Sequence, residues 1–101
     1  MEVMEKSYSV ALCDCPAMPD ADRAKAEARY ARVLERQFGG PAQVADALAI
    51  VQSLEDTPPE EITAHAKAVF KQWGKASAAA NEAGFQGIGD AEGCYFEVRL
   101  A

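Results

Sequence analysis

The chain has 101 residues, 50% of them apolar and 26% charged, with 10 basic and 16 acidic side chains and a formal net charge of −6. That length supports one domain, 1–101, with a single modest core, and the composition is globular rather than disordered. The acid excess argues against nucleic acid and anionic membranes, which need a basic face, and the longest uncharged run is too short and polar to cross a bilayer.

The opening MEVMEKSYSV places two glutamates ahead of any apolar run. It reads as a flexible lead-in at 1–6 and not as a secretory signal. A cytoplasmic protein is expected, and in a reducing compartment its three cysteines are expected as free thiols.

Residues 7–13 alternate. Tyr8, Val10 and Leu12 share one parity, and Ser7, Ser9, Ala11 and Cys13 share the other, as in a half-buried strand. LCDCP follows, with Cys13 and Cys15 one residue apart and Pro16 as a stop. If parity persists, Cys13 and Cys15 face away from the core.

Asp20 is a candidate N-cap for a first helix that Gly39-Gly40 ends. Its apolar face carries Tyr30, Val33, Leu34 and Phe38. Lys25, Arg29, Arg32 and Arg36 recur at intervals of four, three and four, within about 60° of one another on the opposite side. Pro41 opens a second helix through Leu54. Its apolar positions, Val44, Ala47, Leu48, Ile50, Val51 and Leu54, span roughly 160°. Such a helix is either sandwiched inside the domain or half-exposed at a homodimer contact, and the sandwich is the expectation in so small a protein.

Thr57-Pro-Pro-Glu60 matches a capping box for a third helix with the stripe Ile62, Ala66, Val69, Phe70 and Trp73. Gly74 is a candidate bend, and Gly84 a terminator. Lys67, Lys71 and Lys75 form a second basic stripe, expected to face away from the apolar side. Glu55, Asp56, Glu60 and Glu61 gather around the turn between helices two and three.

FQGIGDAEG, 85–93, contains G-x-G, but a helix precedes it and a strand follows, the reverse of a dinucleotide fingerprint, so it reads as a connector. A final strand holds Phe96, Val98 and Leu100 on one parity, with Cys94 inward beside them. The expected fold is α+β, β-α-α-α-β, with three helices packed on a small sheet formed by the N- and C-terminal strands. The direction of pairing is open: up-down alternation through three helices favours parallel strands, a skewed packing of the second helix would reverse that, and a second copy could complete their free edges.

Cys13, Cys15, Cys94 and His65 make a nominal zinc set, but the spacing is wrong and parity splits the sulfurs between opposite faces. A catalytic thiol lacks a placed base, since His65 is the only histidine and flanks the third helix's stripe. No cofactor, metal or catalytic set is expected. The expectation is a small acidic binding protein, a regulator or inhibitor of another macromolecule, most readily a protein. Its contacts would be the basic stripes or the acidic patch, the latter able to imitate phosphate in a basic groove. Inhibitors of restriction or CRISPR machinery carried by mobile elements offer an analogy of size and charge that no motif here supports. The alternative is a thiol-dependent or metal-binding protein using Cys13 and Cys15.

Overall fold

The computed structural model describes residues 7–89 and 91–101; the lead-in at 1–6 and Asp90 lie outside the described residues. Strand β1, Tyr8–Cys13, is followed by helices α1, Asp20–Phe38, and α2, Pro41–Ser53. Two single 3₁₀ turns come next, Leu54–Asp56 and Pro59–Glu61, then helix α3, Ala64–Gly84, and strand β2, Tyr95–Leu100. The order is therefore β-α-α-α-β, with both strands in one two-stranded sheet.

The strands pair antiparallel, with Tyr8 opposite Leu100, Val10 opposite Val98 and Leu12 opposite Phe96. This is the outcome of a second helix that departs from simple up-down alternation, and the helices explain it. The Arg29 guanidinium donates to the Gln86 carbonyl at 2.8 Å, and the Gln72 amide donates to the Gln37 carbonyl at 3.2 Å. The middle of α1 thus meets the segment just after α3 while the end of α1 meets the first half of α3, so the two run antiparallel, with the short α2 as the connector between them. Tyr8 reaches Glu35 while Leu12 reaches Glu27, so β1 also runs against α1. Only α1 and α3 count as full reversals, and β2 returns opposite to β1.

Two packed clusters share Phe96. One holds Tyr30, Leu34, Val44, Ala76 and Ala80, with Tyr8, Val10, Trp73 and Val98 against it. The other holds Leu12, Cys15, Met18 and Ala26, with Phe85, Ile88 and Cys94. Phe96 stacks on Tyr30 with centroids 4.4 Å apart and tilts against Phe85 at 4.8 Å. Leu34 and Val44 are the largest fully buried side chains, each contributing about 1.5–3 kcal/mol by transfer from water.

Helix boundaries follow local chemistry, with two corrections. Helix α1 begins at Asp20 itself, Pro19 holds the cap position, and no side chain caps it; Asp20 and Asp22 instead place negative charge in the first turn, where the helix dipole favours it. Gly39 ends α1 in the left-handed region at φ 101°, its N–H reaching the Glu35 carbonyl. The capping box at Thr57 does not form, because the two prolines after it restrict the backbone and only a 3₁₀ turn follows. Helix α3 starts later, and the Thr63 hydroxyl accepts from the Ala66 N–H at 3.1 Å. Gly74 sits inside an α3 that runs unbroken from Ala64 to Gly84. No helix among the described residues is long and apolar enough to cross a membrane.

Candidate functional site

The strand parity holds as far as the strand does. Cys13 lies opposite Tyr95 on the outer face and is half-buried, its sulfur 3.7 Å from a Glu97 carboxylate oxygen. The next residue, Asp14, takes a left-handed backbone at φ 59°, the only described non-glycine to do so. That single residue breaks the period of two and turns Cys15 inward, where it is 5% exposed and forms a disulfide with Cys94. Two expectations are thereby corrected: Cys15 does not face away from the core, and the cysteines are not three free thiols. Cys94 packs inward as its parity requires.

His65 belongs to another region, the start of α3 among Ile50, Thr57 and Ile62, whereas Cys13 lies in the sheet beside Tyr95 and Glu97. Among the described residues no group of three or more His, Cys, Asp or Glu comes together as a metal set. The shifted titrations are structural. Burial, and then the Glu35 carboxylate that accepts its hydrogen bond at 3.0 Å, raises the Tyr8 phenol. Burial raises Tyr30. On the surface, the negative charge of Asp14, followed by Cys13, raises Tyr95.

The basic stripe of α1 is not uniform. Lys25, Arg32 and Arg36 are exposed, but Arg29 is half-buried and tied to the Gln86 carbonyl, so it clamps the loop after α3. Lys25 and Arg29 border a cavity of about 350 Å³ with Met18, Asp22 and Ile88. Lys67, Lys71 and Lys75 are exposed along α3. Glu55, Asp56, Glu60 and Glu61 are also exposed, carried by the two 3₁₀ turns, and among the described residues they form no ion pair.

Between the acidic turns and the lysines of α3 lies a feature the stripe of α3 had concealed. Val51, Leu54, Ile62 and Phe70 line an open groove of about 420 Å³, with Glu55 and Lys67 as the charged residues of its lining. Phe70, expected in the core, is 58% exposed, the highest of any large apolar side chain described. The buried face of α3 is instead Ala76, Ala80 and Gly84, with Trp73 half-buried beside them. Because α3 begins only at Ala64, Ile62 is out of helical phase, and Phe70 sits about 75° round from the middle of the buried face. Lys67, three residues before Phe70, therefore borders the same surface and does not point away from it.

Helix α2 divides accordingly. Val44, Ala45, Ala47 and Leu48 are buried, as the sandwich reading requires, whereas Ile50, Val51 and Leu54 are half-exposed where the helix reaches the groove. The signal available in the sequence was Thr57-Pro-Pro: it delays α3 and leaves the apolar side chains at the end of α2 half-exposed. Comparison with protein-family models, with curated proteins and with solved structures finds no match to this chain.

Proposed function

We propose that this chain is a non-catalytic binding domain that regulates or inhibits another protein, and that the groove between α2 and α3 is its contact surface. The observation that carries the reading is Phe70, 58% exposed over an apolar floor of Val51, Leu54 and Ile62. Exposing a phenylalanine over further apolar side chains costs solubility, and such patches occur chiefly where a partner covers them. The occupant is an amphipathic segment of a partner protein. Its apolar side chains fill the groove, and its basic residues meet Glu55, Asp56, Glu60 and Glu61. The carboxylates steer and orient that segment, while the apolar floor supplies affinity. The net charge of −6 fits the same reading, since it disfavours nucleic acid and favours a basic protein partner.

The test compares four immobilised forms against a cell extract, with recovery quantified by mass spectrometry: wild type, Phe70→Glu, the quadruple Glu55/Asp56/Glu60/Glu61→Gln, and Arg29/Arg32/Arg36→Glu. A partner bound by wild type, lost with Phe70→Glu and weakened by the neutralised acids supports the groove. A partner lost only with the arginine reversals moves the contact to the face of α1. Equal recovery by wild type and Phe70→Glu overturns the reading.

A further inference from the structure

The two strands present unequal edges. Ala101 donates its N–H to the Ser7 carbonyl, which fixes the hydrogen-bonded pairs of the antiparallel ladder as Ser9 with Arg99, Ala11 with Glu97 and Cys13 with Tyr95. The N–H and C=O groups of the even-numbered residues therefore point out of the sheet on both sides. On β1 that edge is obstructed by α1: the Leu12 N–H donates to a Glu27 carboxylate oxygen at 2.8 Å, and the Tyr8 hydroxyl donates to Glu35. Tyr8 and Val10 share a cleft with Glu27, Ala31 and Glu35, although their own outward backbone groups have no partner among the described residues. On β2 the outward groups of Phe96, Val98 and Leu100 have no partner among the described residues. Beside Phe70, the large apolar side chains exposed among the described residues are Tyr95 at 50% and Leu100 at 37%, both in β2.

We infer that β2 is the pairing edge for a second copy of this chain, the two β2 strands running antiparallel about a two-fold axis at Val98. A side-chain period of two keeps the apolar even residues of both copies on one face only in registers that pair even with even. Three such registers centre near the middle of the strand. Pairing Phe96 with the second copy's Val98 sets Glu97 against Glu97, and pairing Val98 with its Leu100 sets Arg99 against Arg99. Centring on Val98 sets Glu97 against the second copy's Arg99, twice by symmetry, and lays Leu100 beside its Phe96. Opposite charges directly across a sheet stabilise it and like charges destabilise it, so the charge pattern of YFEVRL selects the Val98 register. Arg99 already reaches Glu97 in its own chain, Nε to Oε1 at 2.8 Å, which holds both side chains on the outer face where the second copy meets them. The product is one four-stranded antiparallel sheet, β1-β2-β2-β1, with every helix on the same side. This two-stranded sheet is marginal by itself, and pairing removes its open edge.

The test is the solution mass of the full chain, by sedimentation equilibrium in physiological salt, for wild type, Arg99→Glu, Glu97→Arg/Arg99→Glu, Val98→Pro and Phe70→Glu. Wild type should sediment as a dimer. Arg99→Glu should weaken the dimer roughly tenfold or more while leaving the circular dichroism spectrum unchanged. The double exchange should restore it. Val98→Pro should abolish it, because the N–H it removes points away from β1. A wild-type monomer at all concentrations overturns the inference, as does a dimer that Arg99→Glu leaves at full strength. Failure of the double exchange to rescue overturns the register. A dimer broken by Phe70→Glu and untouched by Arg99→Glu would place the contact at the groove and sink the strand pairing.

Discussion

The ring of Phe96 occupies the space where a side chain on Gly84 would begin. A β-carbon built on Gly84 would lie 2.5 Å from Cζ and 2.8 Å from Cε2 of that ring, and 3.3 Å from the Ala26 carbonyl oxygen. Tyr30 and Phe85 hold the ring from either side, so it cannot swing clear. Replacing a helical glycine by alanine ordinarily gains about 0.5–1 kcal/mol, but overpacking a core costs about 1–3 kcal/mol. Gly84→Ala should therefore destabilise the fold by roughly 1–2 kcal/mol. A urea midpoint at or above that of wild type would show that the α3–β2 contact is looser than described.

Gly74 makes the opposite case within the same helix. It is exposed in mid-α3, and nothing lies within 4 Å of a β-carbon placed there. Gly74→Ala should raise stability by about 0.5–1 kcal/mol through backbone entropy and helix propensity alone. Thermal denaturation of the two alanine variants side by side separates them: equal shifts of the same sign would contradict both assignments.

Strand alternation, the Gly39 stop and the Pro41 start were legible because each rests on residues a few positions apart. What escaped was set by single backbone choices or by packing at a distance. Asp14 adopts a left-handed conformation that its composition does not announce, and it reverses the side on which Cys15 emerges. The two prolines after Thr57 delay α3 until Thr63 can cap it, so the stripe from Ile62 to Trp73 is not one helical face and Phe70 reaches the surface. The direction of β2 depends on α1 and α3 pairing with each other and α2 serving as connector, which no local pattern encodes. Of the candidate contacts, the acidic turn and Lys67 were visible as charge clusters. Their common border on an apolar groove was not.

The Cys15–Cys94 disulfide spans 79 positions, with Cα atoms 5.4 Å apart, and ties the end of β1 to the start of β2. Closing so long a loop in the unfolded chain stabilises the native state by about 2–4 kcal/mol. Reduction, or Cys94→Ser, should lower the thermal midpoint accordingly. Oxidised protein should titrate one thiol, Cys13, when unfolded, and three after reduction. Disulfides persist chiefly in oxidising compartments, so material kept under reducing conditions should show the lower midpoint and three thiols. Three thiols in air-oxidised protein would refute the pairing.

Two threonines should respond in different ways. Thr63 caps α3 by accepting from the Ala66 N–H, and Thr63→Ala should cost about 1 kcal/mol. Thr57 instead donates to the Ser53 carbonyl at 2.7 Å at an exposed turn, and Thr57→Ala should cost less than half as much. Serine at position 63 should recover most of the loss. A larger effect at Thr57 than at Thr63 would return the helix start to the Thr57-Pro-Pro segment.

Tyr8 gives the fold a pH dependence on the alkaline side. Its phenol is half-buried against α1, donating to Glu35 at 3.0 Å, with the Ala31 carbonyl at 3.4 Å. Burial first, and the Glu35 hydrogen bond and charge next, raise it well above its ordinary value of 10.0. The folded state thus holds this proton more tightly than the unfolded chain does. The resulting stability is fully present below the ordinary tyrosine range and is lost progressively as pH rises through and above it. Tyr30, raised by burial, adds to the same slope. Tyr8→Phe should cost about 1 kcal/mol at neutral pH and make the fall in urea midpoint above pH 10 shallower without abolishing it. Identical alkaline slopes for wild type and Tyr8→Phe would show that the Tyr8–Glu35 contact is not held in solution.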